Sequence, residues 1–169
     1  MSKLSPICQK RLKGDLKVLK KEPLELACSR PDTDNPLIWY FVLKGPKDSH
    51  YKGGYYLGKI EHSPEYPFKP PDFYFYTPSG RFHLNKKICL SNSGYHKEEW
   101  SATWNIRNLL IGLLSIFLDD GPESNGIGRL KDTQENRQKM AKQSVSFNIQ
   151  NYEKEWEMFK DFYENSKDE

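Results

Sequence analysis

The N-terminal segment sets an apolar stripe against a basic face. Ile7, Leu12, Leu16 and Leu19 recur near helical spacing, while Lys3, Lys10, Arg11, Lys13 and Lys17 fall on the other side. Ser5 is placed to cap this helix, Pro6 suits its first position, and Glu22-Pro23 ends it. The period then changes. Leu24–Cys28, Leu37–Leu43, Gly54–Ile60 and Asp72–Tyr76 are β-branched or aromatic runs separated by Arg30-Pro31, Lys44-Gly45-Pro46 and the segment from Pro67 to Pro71. The connections are too short for βαβ crossovers and predict an antiparallel meander. From Pro78 to Thr103 no period holds; this irregular stretch carries Ser79, Gly80, Asn85, Asn92, Ser93 and Gly94, with Cys89 between Ile88 and Leu90. A long irregular segment in a compact domain is usually functional.

Helical spacing returns at Ile106, Leu109, Leu110, Leu113, Leu114 and Phe117, with Ile111 and Ile116 adding apolar side chains on other faces. That pattern predicts a central, largely buried helix stopped by Gly121-Pro122. Two further helices are predicted over Thr133–Phe147 and Tyr152–Tyr163. The sum is one α+β domain over residues 1–169: an N-terminal helix, a four-stranded antiparallel sheet, a loop with the character of an active site, then helices.

Composition narrows the function. The chain has 169 residues, 36% hydrophobic and 29% charged, which fits a soluble domain with one core. The net charge of +3 does not call for nucleic acid, and no stretch carries a nucleic-acid-binding motif. Three cysteines (Cys8, Cys28 and Cys89) with no CxxC pair argue against a disulfide framework or a zinc site and for a reducing compartment. The polar, basic start has no apolar signal-peptide core. The longest apolar stretch, Leu109–Leu118, is too short to span a bilayer.

Taken alone, Cys89 is either a nucleophile, since thiolates attack and their thioesters transfer acyl groups, or a small buried hydrophobe. A cysteine hydrolase would need a histidine base with an orienting partner. None of His50, His62, His83 and His96 can be matched to Cys89 by spacing. The surroundings add to this. Gly45-Pro46, Tyr51-Lys52-Gly53-Gly54, Tyr66-Pro67-Phe68-Lys69-Pro70-Pro71, Thr77-Pro78-Ser79, Ile88-Cys89-Leu90, then Trp100 and Trp104 occur in an order that resembles the ubiquitin-conjugating enzymes. The resemblance runs from the basic first helix to about Tyr163. Thr77-Pro78-Ser79-Gly80-Arg81-Phe82, Cys89-Leu90-Ser91 and the longer loop through Tyr95-His96 are similar to one branch, whose founding members are tail-anchored in the endoplasmic reticulum.

The resemblance implies that Cys89 accepts ubiquitin from the activating enzyme as a thioester and passes it to a substrate lysine, or to a Ser or Thr hydroxyl. The family's His-Pro-Asn motif falls on Thr77, Pro78 and Ser79. Ser79 would support the oxyanion with one donor where an amide has two; its bland reading is a turn residue beside Gly80. Ser124 would gate the acceptor side, with Glu123 and Asn125 within alignment error, or be an ordinary loop serine. His96 would be a base, or a surface histidine. Phe68 and Pro67, with Ala102 and Thr103 on a second loop and Lys10 and Arg11 on the first helix, would meet a RING-type ligase and the activating enzyme; otherwise Phe68 packs its loop and the charges are solvated. Trp100 and Trp104 are expected to pack the core and loop.

No metal or organic cofactor is implied, because the ATP is used by the activating enzyme. The implied partners are ubiquitin, the activating enzyme, a ligase and a protein substrate, acting on a monomer. The implied setting is the cytoplasm, with a role in degradation at the cytosolic face of the endoplasmic reticulum if a C-terminal anchor has been removed. Two other readings stay open at this point: a catalytically weak or inactive module that binds ubiquitin or a ligase, towards which only Ser79 leans, and a conjugating enzyme for another ubiquitin-like modifier.

Overall fold

The computed structural model describes residues 4–88, 100–119 and 130–167. Helix α1 spans Pro6–Lys21, and Ser5 caps it by accepting the Cys8 N–H on its Oγ at 3.1 Å. Four strands follow: β1 (Ala27–Pro31), β2 (Ile38–Lys44), β3 (Tyr55–Glu61) and β4 (Asp72–Phe75). They pair antiparallel in chain order, as the short connections predict. Helix α2 (Ile106–Leu118) opens with a reciprocal Asn105/Asn108 capping box and buries Leu109, Leu110, Leu113, Ile116 and Phe117. Helix α3 (Gln134–Asn151) is capped by Thr133, and the short helices α4 (Glu153–Glu157) and α5 (Lys160–Ser166) close the described chain.

Of the boundaries that differ from the sequence reading, two have a visible cause, and α3 runs on to Asn151 where it was expected to end at Phe147. The first strand was expected over Leu24–Cys28 but pairs over Ala27–Pro31. Pro31 is tolerated because β1 is the sheet's edge, where a strand can spare a donor. The Asp32 carboxylate then receives the N–H groups of Asp34 and Asn35 and turns the chain into β2. The helix expected over Tyr152–Tyr163 is broken into α4 and α5 at Met158 and Phe159. At the break Arg30 donates to the Met158 carbonyl and, through two bonds of 2.6 Å, to the Asp161 carboxylate.

The sheet is apolar on both faces. On the inner face Trp39, Phe41, Tyr56, Ile60, Phe73 and Phe75 meet α1 and α2. Phe41 lies across from Gly58, and a Cβ on Gly58 would come within 2.5 Å of its ring, so the close approach needs glycine. On the outer face Val42, Tyr55 and Leu57 pack with Trp156 and Phe159 from the C-terminal helices. Lys44 Nζ donates to the Ser166 carbonyl at 2.5 Å, and the Tyr55 hydroxyl shares a hydrogen bond with Ser166 Oγ at 3.0 Å. Among the described residues no helix is long and apolar enough to cross a membrane, and no cluster of His, Cys, Asp or Glu could hold a metal ion.

His62 follows β3, is 3% exposed and packs edge-on to Trp39 and Tyr66. Neither ring nitrogen has a hydrogen-bond partner among the described residues, and burial lowers its pKa to about 3. The native ring therefore stays neutral where the unfolded chain takes up a proton, so His62 withdraws stability as pH falls below its ordinary value of 6.5. Denaturant titrations at pH 7 and pH 5 are expected to show about 2 kcal/mol less stability at the lower pH from this group. His62→Phe is expected to remove that slope; an unchanged slope would refute the assignment.

Candidate active site and docking surface

The segment after β4 is an ordered approach to Cys89. Thr77 is buried; its Oγ1 accepts the Leu57 N–H at 2.9 Å and donates to Asn148 Oδ1 at 2.5 Å, and Asn148 Nδ2 donates to the Tyr55 carbonyl at 2.9 Å. This fastens the turn to β3 and α3. Ser79 is 1% exposed, and its Oγ accepts the Arg81 N–H at 3.1 Å and the Phe82 N–H at 3.4 Å. The oxygen is engaged in shaping the turn; its hydroxyl hydrogen is what remains for donation. Gly80 has φ +75°, and a Cβ there would stand 2.9 Å from Arg137 Cγ.

Arg81 is almost completely buried. Its Nε donates to the Phe117 carbonyl at 3.2 Å, and Nη2 donates to the carbonyls of Ile116 at 2.9 Å and of Asp119. A cation thereby covers the negative end of α2 and satisfies carbonyls the helix cannot. Arg137, on α3, donates from Nε to the Gly80 carbonyl at 3.1 Å and from Nη2 to the Leu130 carbonyl at 3.2 Å. Further on, Ile88 exchanges two backbone hydrogen bonds with Phe73 of β4, at 2.8 and 3.1 Å, and the Asn85 N–H reaches the Phe75 carbonyl at 2.9 Å. The chain thus enters Cys89 from a residue held on the sheet edge. Cys89 itself, His96 and Ser124 lie outside the described residues, as do Glu123 and Asn125.

The six positions expected to meet partners gather on one surface. Phe68 is 65% exposed on the turn after β3, whereas Pro67 beside it is buried. Trp100 Nε1 donates to the Pro67 carbonyl at 3.0 Å, and Trp100 packs on Trp104 with ring centroids 5.8 Å apart, so both tryptophans pack the loop as expected. Arg11 on α1 donates to the carbonyls of Ala102, at 2.6 Å, and of Trp104. A groove of about 670 Å³ runs between α1 and these loops, lined by Ile7, Lys10, Arg11, Val18, Pro67 and Thr103.

Asp15 holds this surface together, a role that the sequence reading missed. It is 2% exposed; it pairs with Arg11 at 3.0 Å, accepts the Tyr66 hydroxyl and takes the Ile106 N–H at the start of α2. Burial raises its pKa, while Tyr66 and Arg11 pull it back. The available signal was one acid four residues after Arg11 in an otherwise basic helix. Arg81 was also missed; a lone cation inside an apolar, aromatic run was its signal.

An antiparallel meander of four strands, covered by an N-terminal helix, a central apolar helix and C-terminal helices, defines an α+β conjugating fold. Residues 11–155 match the profile of the ubiquitin-conjugating enzyme family, and the chain belongs to that family. It is 42% identical over 141 residues to "Ubiquitin-conjugating enzyme E2 34" of Arabidopsis thaliana, covering 83% of this chain and 58% of that protein. It is 39% identical over 139 residues to the human "Ubiquitin-conjugating enzyme E2 J2", covering 82% and 52%. With "Ubiquitin-conjugating enzyme E2 6" of Schizosaccharomyces pombe it shares 37% over 160 residues, 95% and 69% of the two chains. The chain therefore spans between 52% and 69% of the length of these relatives. Among solved structures, human ubiquitin-conjugating enzyme E2 G1 superposes with a TM-score of 0.60 at 26% identity, covering 69% of this chain and 99% of that one.

Asp15→Ala would leave Arg11 and the Tyr66 hydroxyl without their buried acceptor and is expected to cost about 3 kcal/mol in urea denaturation. Phe68→Ala, at an exposed ring, is expected to change stability by less than about 0.5 kcal/mol.

Proposed function

We propose that this chain accepts ubiquitin on Cys89 as a thioester and transfers it to an amine of a protein substrate. The observation that supports this reading is Ile88, the residue before Cys89 in the sequence, which two backbone hydrogen bonds hold on the edge of β4 inside the segment that matches the conjugating family. In the charging step the Cys89 thiolate attacks the ubiquitin thioester on the activating enzyme; a new C–S bond forms and the enzyme's thiolate leaves. In the transfer step an amine nitrogen adds to the carbonyl, the C–N bond forms, the C–S bond breaks and Cys89 leaves as a thiolate. The amine's proton passes to water or to a base, for which His96 is the candidate. Ser79 contributes by shaping the turn and has one hydroxyl hydrogen to offer an oxyanion; Ser124 is the candidate for the acceptor side. No metal or organic cofactor takes part in these steps.

The surface formed by Phe68, Pro67, Ala102, Thr103, Lys10 and Arg11 supports docking of a RING-type ligase and of the activating enzyme. An exposed aromatic ring on a buttressed turn makes an interface anchor, and the basic helix beside it favours an acidic partner. The likeness to the endoplasmic-reticulum branch supports a role in protein degradation at the cytosolic face of that membrane.

The test is a charging assay with activating enzyme, ATP and ubiquitin, read on non-reducing gels. The wild type is expected to give a thiol-sensitive adduct, Cys89→Ser a thiol-resistant oxyester and Cys89→Ala none. No adduct with ubiquitin would overturn the reading, and an adduct with a different ubiquitin-like protein would reassign the modifier. Phe68→Ala is expected to charge normally and to lose about tenfold in ligase-stimulated transfer.

A further inference from the structure

We infer that Gly14 is a specificity-determining residue of the docking surface: its missing side chain leaves a notch in the groove beside α1, and the notch takes a bulky apolar side chain from an acidic segment of the ligase. The inference rests on the conjugating reading above and deepens it by giving the docking surface a partner chemistry.

Gly14 stands in the middle of α1, where the fold does not ask for glycine. Its backbone is not left-handed, and a Cβ there would meet nothing within 4 Å among the described residues. Glycine inside a helix loses more chain entropy on folding than alanine does, so it weakens α1 without relieving any contact within this chain. Gly58 and Gly80 differ, since a Cβ at either would strike a neighbour.

The surroundings make the position a site. Helix α1 turns Cys8, Leu12, Asp15 and Leu19 into the core. Ile7 and Val18, seven residues before Gly14 and four after it, fall with it on a second stripe. That stripe borders the groove of about 670 Å³ that Pro67 and Thr103 line from the loops. The sequence pattern put Ile7 with Leu12, Leu16 and Leu19; in the structure it is 58% exposed, and Val18 is half-buried. An apolar shelf therefore lies open to solvent, with the notch at Gly14 between its two ends.

Charge selects the occupant. Lys10 lines the groove, and Lys17, seven residues on along the same side of the helix, is exposed. The one acid among the described lining residues is Asp15, which is 2% exposed and paired with Arg11 at 3.0 Å. The exposed charge at the rim is thus positive and favours an acidic partner. Pro67 carries the groove into the turn of the exposed Phe68, so a body seated on that ring covers the notch as well. A side chain at position 14 would fill the space and stand against the partner.

The experiment compares wild type, Gly14→Ala, Gly14→Leu and Gln9→Leu. Gln9 is exposed on α1 outside the groove lining, so Gln9→Leu controls for an added leucine. The probe is a panel of isolated RING domains, each titrated into the isotope-labelled chain and followed by amide chemical shifts. The Gly14 and Val18 amides of the wild type are expected to shift on binding. Gly14→Leu is expected to weaken binding about tenfold or more, Gly14→Ala about twofold to threefold, and Gln9→Leu less than about twofold. The melting temperature of Gly14→Ala is expected to rise by about 2–4 °C, which separates lost binding from lost folding. Equal binding by Gly14→Leu and wild type, a panel in which no domain binds the wild type, or a lower melting temperature in Gly14→Ala would each overturn the inference. Charging from the activating enzyme is expected to stay within about twofold in Gly14→Leu. A loss of charging equal to the loss of RING binding would assign the notch to the activating enzyme and overturn the ligase assignment. A wild type that does not charge would defeat the conjugating reading, while the titration, which needs no thioester, would still decide the role of Gly14.

Discussion

The pairing of β2 with β3 forces both faces of one sheet to be covered. Alternation along β2 sends Trp39, Phe41 and Leu43 inward and Tyr40 and Val42 outward; β3 does the same with Tyr56 and Ile60 against Tyr55 and Leu57. Because neither face is polar, each needs its own layer. Helices α1 and α2 supply one, and the end of α3 with α4 and α5 supplies the other. The two chemically important regions grow from the inner layer. One is the turn and sheet edge before Cys89; the other is the candidate docking surface where α1 meets the loops.

In both regions a buried charged group bridges elements far apart in the chain. Asp15 joins α1, the Tyr66 turn and the first turn of α2. Arg81 joins the turn after β4 to the last turn of α2. The two ends of α2 thus carry the charges its dipole favours, an acid at the start and a base at the end. A buried charge left without its partner is strongly destabilising, so such bridges hold segments in register where apolar packing alone would let them slide. Phe68 and Ser79 owe their placement to these supports as much as to their own contacts.

Much of the fold was legible in the sequence. Ser5-Pro6 marked the start of α1, the change to aromatic runs marked the meander, and the 3.6-residue spacing from Ile106 marked the buried helix. What could not be read depends on partners distant in sequence. The bounds of β1 are set by register with β2, which tolerates Pro31 at an edge. The break between α4 and α5 is stabilised by Arg30, on a strand more than a hundred residues earlier. Of the candidate site, the six positions expected to meet partners were grouped through the family resemblance, while Cys89, His96 and Ser124 lie outside the described residues. The buried roles of Asp15 and Arg81 could not be read, since periodicity places a charged residue on a surface by default.

The outer layer carries one more consequence. Residues Trp156 and Phe159 lie beyond residue 155, where the family match ends, yet they pack on Val42, Tyr55 and Leu57 in the middle of the sheet. Any molecule with affinity for that face competes with a segment tethered to the same chain. An intramolecular occupant acts at an effective concentration of the order of millimolar, and the apparent affinity of a rival is weakened by the equilibrium for peeling the tether away. In this chain the outer sheet face at Val42, Tyr55 and Leu57 is therefore covered by the chain's own C-terminal helices.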